Sequence, residues 1–141
     1  MSSIDVDSCV VAKWFVAAPD SDQAMKLPGE GIDLMAPDFI LVELGNILWK
    51  CVRSGRISDL HALSRLSIAS QYFAQLRISS LLLDETFNAA RQGNHPFCDC
   101  LYVVAARASN APLVTSDNKL VAKLAGTPDA RNVIVLADWK P

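Results

Sequence analysis

The chain has 141 residues, 51% of them hydrophobic and 20% charged, with a formal net charge of −2. That is enough for one core-bearing domain over residues 1–141, and the slight acidity excludes a protein that grips nucleic acid mainly through a broad basic surface. Four cysteines (Cys9, Cys51, Cys98, Cys100), a start without a basic or apolar stretch, and apolar runs too short for a bilayer predict a cytoplasmic chain with reduced thiols and no membrane contact.

Ile4 and Val6 alternate with Asp5 and Asp7, the pattern of a short strand ending at Asp7. Val10 to Ala17 reads as a helix. Asp20 or Ser21 then caps a second helix that stops near Pro28-Gly29. Ile32 to Ala36 is the second predicted strand. Pro37-Asp38 opens a longer helix reaching about Arg53, with Gly55 as its stop, and Ser58 caps a helix over Leu60 to Phe73. Ile78 to Leu82 is the third predicted strand, and Asp84 caps a helix to Arg91 that Gly93 ends. Phe97 to Ser109 is a very apolar helix. Leu113 to Thr115 reads as a buried strand, Asp117 caps Lys119 to Ala125, and Val133 to Leu136 is the last strand. Strands alternating with helices predict an α/β fold whose parallel sheet is covered on both faces. No repeat, low-complexity stretch or linker interrupts it.

Four acids stand where sites form in such sheets, outside the carboxyl ends of strands or early in the helices that follow. They are Asp7, Glu43, Asp99 and Asp117. Each has a plain alternative: Asp7 and Asp117 as N-caps, Asp99 as a first-turn acid, and Glu43 as an edge residue reaching water. Glu43 is the most telling, because on helical spacing it shares a side with Phe39, Ile40 and Ile47, where an unsatisfied carboxylate is costly. Gathered together, the four would repel and hold protons more tightly. Mg²⁺ or Mn²⁺ would relieve that repulsion through hard oxygen ligands and serve metal-assisted phosphodiester hydrolysis. A zinc reading of Cys98, Cys100 and His95 lacks a fourth close ligand. His61 is expected to face solvent. Lys13 is the chosen phosphate contact among the basic residues near the crevice (Arg53, Arg56, Arg91, Lys119 and Lys123). Trp14, Phe15 and Trp49 are read as core or interface.

Three segments, DVDSCVVAKWF, APDFILVELGNILWKCVRSGRIS and HPFCDCLYVVAARASNAPLVTSDNKL, together resemble a PIN-domain ribonuclease, with the closest likeness to VapC-type toxins of toxin–antitoxin modules. The resemblance covers nearly the whole chain, in order. It implies a three-layer α/β/α sandwich with a central parallel sheet and a Mg²⁺- or Mn²⁺-dependent RNA endonuclease. It puts the family's acidic quartet on Asp7, Glu43, Asp99 and Asp117, and its small polar residue before the last acid on Thr115. It also implies an antitoxin partner with a basic segment, and a homodimer. Cys9 replaces a usual serine or asparagine, and Cys98 a usual tyrosine. Two other functions compete. A haloacid-dehalogenase-like phosphatase would use Asp5-Val6-Asp7 as nucleophile and acid, and a non-catalytic PIN-like domain would bind partners only.

Overall fold

The computed structural model describes residues 2–29 and 31–141. Five strands, β1 (Ser3–Val6), β2 (Asp33–Pro37), β3 (Gln75–Arg77), β4 (Leu113–Thr115) and β5 (Val133–Val135), form one parallel sheet in the order β3-β2-β1-β4-β5. Seven helices join them: α1 (Ser8–Phe15), α2 (Ser21–Ala24), α3 (Ile40–Arg53), α4 (Asp59–Ile68), α5 (Leu83–Gly93), α6 (Phe97–Ser109) and α7 (Asn118–Leu124). The chain winds outward from β1 through β2 to β3, then crosses back to β4 and β5. Right-handed crossovers therefore put α1 and α3 on one face and α6 and α7 on the other. The order reverses between β1 and β4, so their carboxyl ends flank the natural crevice of this sheet.

The central strands are short but almost entirely buried. Ile4, Val6, Leu34, Ala36, Leu113 and Val114 join Val10, Ile40, Leu44 and Leu48 in one hydrophobic cluster. On α3 the buried stripe is Ile40, Leu44, Leu48 and Cys51, the spacing of a helix with one face on the core. Helix α6 is buried from Cys100 through Ala106 without a polar face, because it lies on β1, β2 and β4 and is covered by α5. Trp14 and Phe15 belong to the core, and the Trp14 indole N–H donates to the Ala24 carbonyl at 2.9 Å.

Several predicted elements differ in detail. The third strand is Gln75–Arg77, paired with Met35 to Pro37, and not Ile78 to Leu82. An edge strand needs little apolar character. The apolar run after it instead forms a 3-10 turn (Ser79–Leu82) whose Ile78 and Leu81 lie exposed. Asp84 sits inside the first turn of α5 rather than at its cap, and the helix closes on Asn94 in the left-handed conformation (φ 47°), one residue past Gly93. The helix after Ser21 stops at Ala24, and a chain of turns continues to Gly29. Helix α4 ends at Ile68, followed by a 3-10 segment (Ala69–Tyr72). His61 does not face open solvent: its Nε2 lies 3.3 Å from the Phe15 carbonyl. Among the described residues, no helix is long and apolar enough to cross a membrane.

Candidate active site

Strand β1 ends at Val6, and Asp7 turns the chain into α1. Its backbone is extended (φ −100°, ψ 174°), and Oδ1 accepts the Val10 amide at 3.2 Å, so it is an N-cap. The same oxygen accepts from Cys9 Sγ at 2.8 Å, and Oδ2 accepts from the Thr115 hydroxyl. Asp7 is thus a buried carboxylate (5% exposed) with three donors. Burial pushes its pKa up to about 6. Hydrogen bonds from Cys9, Thr115 and Val10 offset part of that, while the charge of Asp117 adds to it.

Asp117 follows β4 as Asp7 follows β1. Its Oδ1 caps α7 through the Lys119 and Leu120 amides, at 3.0 and 3.2 Å. Its own amide donates to Thr115 Oγ at 3.0 Å. The Thr115 hydroxyl, wholly buried, therefore ties the two aspartates together across the β1–β4 crevice. Asp99 enters from the first turn of α6. Its carboxyl is raised by burial, with the His95 and Lys123 charges pulling it down and the Asp117 charge pushing it up.

Asp7, Asp99 and Asp117 line one cavity of about 290 Å³ at the carboxyl ends of β1 and β4, with Ser8, Tyr102 and Ser116. Glu43 does not line it. It lies at the edge of the buried stripe of α3, and the Tyr102 hydroxyl donates to its Oε1. Tyr102 itself is held well above the ordinary tyrosine range by burial and by Glu43, so it remains a donor. Thr115 joins Asp7 to Asp117, and Tyr102, which lines the cavity, holds Glu43; Asp99 lines the cavity without either link. Among the described residues, no three histidine, cysteine, aspartate or glutamate side chains are near enough to share an ion.

Tyr102, Ser8 and Ser116 line the cavity as well, without a sequence pattern that marks them as a set. Tyr102 stands three residues after Asp99, on the same side of its helix, and that spacing was the available signal. Cys9 is part of the hydrogen-bonded network: it donates to Asp7 and accepts from Ser116 Oγ at 3.1 Å. Cys98 is exposed and does not line the cavity. Lys13 is engaged elsewhere, 2.8 Å from Asp20. Asp5, the nucleophile of the phosphatase alternative, is wholly buried and is no part of the cavity lining, so an Asp5–Asp7 pair is not assembled.

The family profile described as PIN domain matches residues 4–126. This chain belongs to the PIN-domain family. The PIN domain is 28% identical over 120 residues to Ribonuclease VapC3 of Pyrobaculum aerophilum, covering 84% of this chain and 92% of that protein. It is 34% identical over 95 residues to Exonuclease VapC9 of the same organism, covering 67% and 70%. Among solved structures, PAE2754 from Pyrobaculum aerophilum superposes with a TM-score of 0.70 at 25% identity, over 96% of this chain and 92% of that one. VapBC2 from Rickettsia felis, bound to a DNA fragment from their promoter, gives 0.66 at 14% identity over 98% and 99%. At that identity the likeness speaks for the fold alone.

Proposed function

We propose that the protein is a metal-dependent endoribonuclease, the toxin of a toxin–antitoxin pair, working as one PIN-like domain over residues 1–141 in the cytoplasm. The observation that carries this reading is the cavity lined by Asp7, Asp99 and Asp117, with Glu43 attached through Tyr102. The similarity to Ribonuclease VapC3 supports the substrate class. The donor set suits a hard cation. It consists of carboxylate oxygens, and two of the aspartates are pushed toward their protonated forms by burial and by the charge of Asp117.

In this reading Asp7 and Asp99 would hold Mg²⁺ or Mn²⁺ directly, and Asp117 and Glu43, which do not crowd with them into one ligand cluster, would act through water in the outer shell. The bound ion would activate water and neutralise charge developing on the phosphodiester. Thr115 fixes the Asp7 carboxylate in register with Asp117. Tyr102 fixes Glu43. Ser8 and Ser116 offer hydroxyls to whatever enters the cavity.

The antitoxin would bring a basic segment to the acidic cavity, where an arginine can bridge two carboxylates. A homodimer would cover part of the exposed apolar surface. The deciding experiment is cleavage of labelled RNA by the purified chain with Mg²⁺, Mn²⁺ or chelator, beside Asp7→Asn and Asp99→Asn. Cleavage that persists in chelator or in both variants would overturn the reading.

A further inference from the structure

A second cavity of about 440 Å³ opens between α5, α6 and α7, neighbouring the acidic one along α6 and α7. Asp99 and Leu120 line the first; Cys100 and Lys123, one residue and three residues further along the same helices, line the second. The walls are of two kinds. Val103, Leu124 and Pro128 are apolar, whereas Lys123, Arg107 and Thr127 are polar or charged. Arg107 is already paired with Asp129, Nε to Oδ1 at 2.8 Å. The Lys123 ammonium gives one donor to the Asn94 carbonyl at 3.1 Å and has two more to give.

His95 also lines this cavity. Its side chain is only 7% exposed and, among the described residues, neither ring nitrogen has a hydrogen-bond partner. The Asp99 Oδ2 atom stands 3.7 Å away, beyond hydrogen-bond reach. A buried imidazole with both nitrogens unpaired is uncommon, because each orphaned group carries a desolvation cost.

Size and charge select the occupant. The volume falls in the range of small-molecule sites, roughly 300–1,000 Å³, and is far too small for a partner helix. Apolar walls suit the face of a base, an imidazole suits its hydrogen-bonding edge, and a lysine ammonium suits a phosphate. Two cations against Asp129 make this lining net positive, beside a cavity of three aspartates in a chain of net charge −2. RNA is read in sequence where bases are unpaired and splayed out. We propose that this cavity receives one unpaired nucleotide of the RNA, next to the phosphodiester held at the acidic site, and thereby sets which sequence is cut. The proposal rests on the ribonuclease reading of that neighbouring site.

The test fills the cavity from two opposite walls, with Ala89→Phe on α5 and Thr127→Trp after α7. A fluorescein-labelled single-stranded RNA hexamer is titrated in chelator, where nothing is cut. Both variants should bind it roughly tenfold more weakly than the unmodified protein. With Mg²⁺ and a random RNA pool, the unmodified protein should prefer one base beside the cut, and both variants should flatten that preference. Thermal unfolding checks that the variants are folded. A readout without variants uses the four nucleoside 5′-monophosphates and inorganic phosphate as competitors against the hexamer. Unequal displacement supports the pocket; equal displacement by all five overturns it. Hexamer affinity within about twofold of the unmodified protein in both variants also overturns it, as does no hexamer binding at all. If the unmodified protein binds the hexamer but cuts no RNA, the ribonuclease reading fails separately, and the binding arm still decides for or against the cavity.

Discussion

Asp5 lies on β1 and Asp7 just past its end; both are buried, but they are held differently. Asp7 has three donors, whereas neither oxygen of Asp5 has a hydrogen-bond partner among the described residues. The nearby Ser109 hydroxyl donates to the Ala105 carbonyl at 3.0 Å and accepts from Arg77 Nε at 2.8 Å. Burial pushes Asp5 up to about 6, with Ser109 and Arg77 offsetting only part of it. Below the ordinary carboxylate pKa both folded and unfolded chains hold this proton, and Asp5 costs nothing extra. As pH rises from about 4 to about 6 the unfolded chain ionises first, and stability is lost. Asp5→Asn is therefore expected to stabilise the fold at pH 7 by on the order of 1–3 kcal/mol, with the gain fading below pH 4 in a urea melt series. A variant less stable at pH 7 would show that the charge contributes through Arg77. The thiols give a second residue-scale prediction. Burial and the Asp7 charge push Cys9 up to about 12, so a disulfide reagent at pH 8 should modify exposed Cys98 and leave Cys9 unmodified, as read by peptide mass spectrometry.

At the scale of elements, α6 reaches the site with Asp99 and Tyr102, and α3 is joined to it by the Tyr102 hydroxyl on Glu43. Removing it by Tyr102→Phe leaves both helices packed but frees the glutamate. Cleavage is expected to fall roughly 10–100-fold, the usual consequence of losing an outer partner of a metal-binding group. Combining it with Glu43→Gln should add little to the loss from Glu43→Gln alone, because both changes act on the same carboxylate. Additive losses would separate the two residues. Asp7→Asn and Asp99→Asn act directly at the proposed metal and should each reduce cleavage by at least roughly 100-fold, while Tm holds or rises as like-charge repulsion is relieved.

For the whole molecule, two groups of exposed apolar side chains stand out. Ile78, Leu81, Leu83 and Phe87 (58% exposed) surround the start of α5; Trp49 (57%), Leu60 and Leu63 flank the α3–α4 groove. Surfaces like these are normally covered. Sedimentation at micromolar concentration is expected to show a dimer that Phe87→Asp weakens, and a strict monomer would count against the proposed assembly. A basic inhibitory segment would compete with metal for the same carboxylates. Its inhibition should therefore weaken as Mg²⁺ rises, and inhibition indifferent to Mg²⁺ would mean that it blocks the RNA path instead.

By itself the sequence determined the α/β class, four of the five strands, the caps at Ser58 and Asp117, and the four acids as candidates. All of these are local signals of alternation, turn chemistry and helix capping, written within a few residues. The tertiary structure alone decided that β3 is the polar Gln75–Arg77, since an edge strand is identified by its neighbour and not by its own pattern. It alone decided that Lys13 serves Asp20, that Glu43 is reached through Tyr102, and that Thr115 joins Asp7 to Asp117. Apart from the Lys13 contact, these links join segments far apart in the chain, and such contacts are set by the order in which strands are laid down. No spacing along the chain records that order.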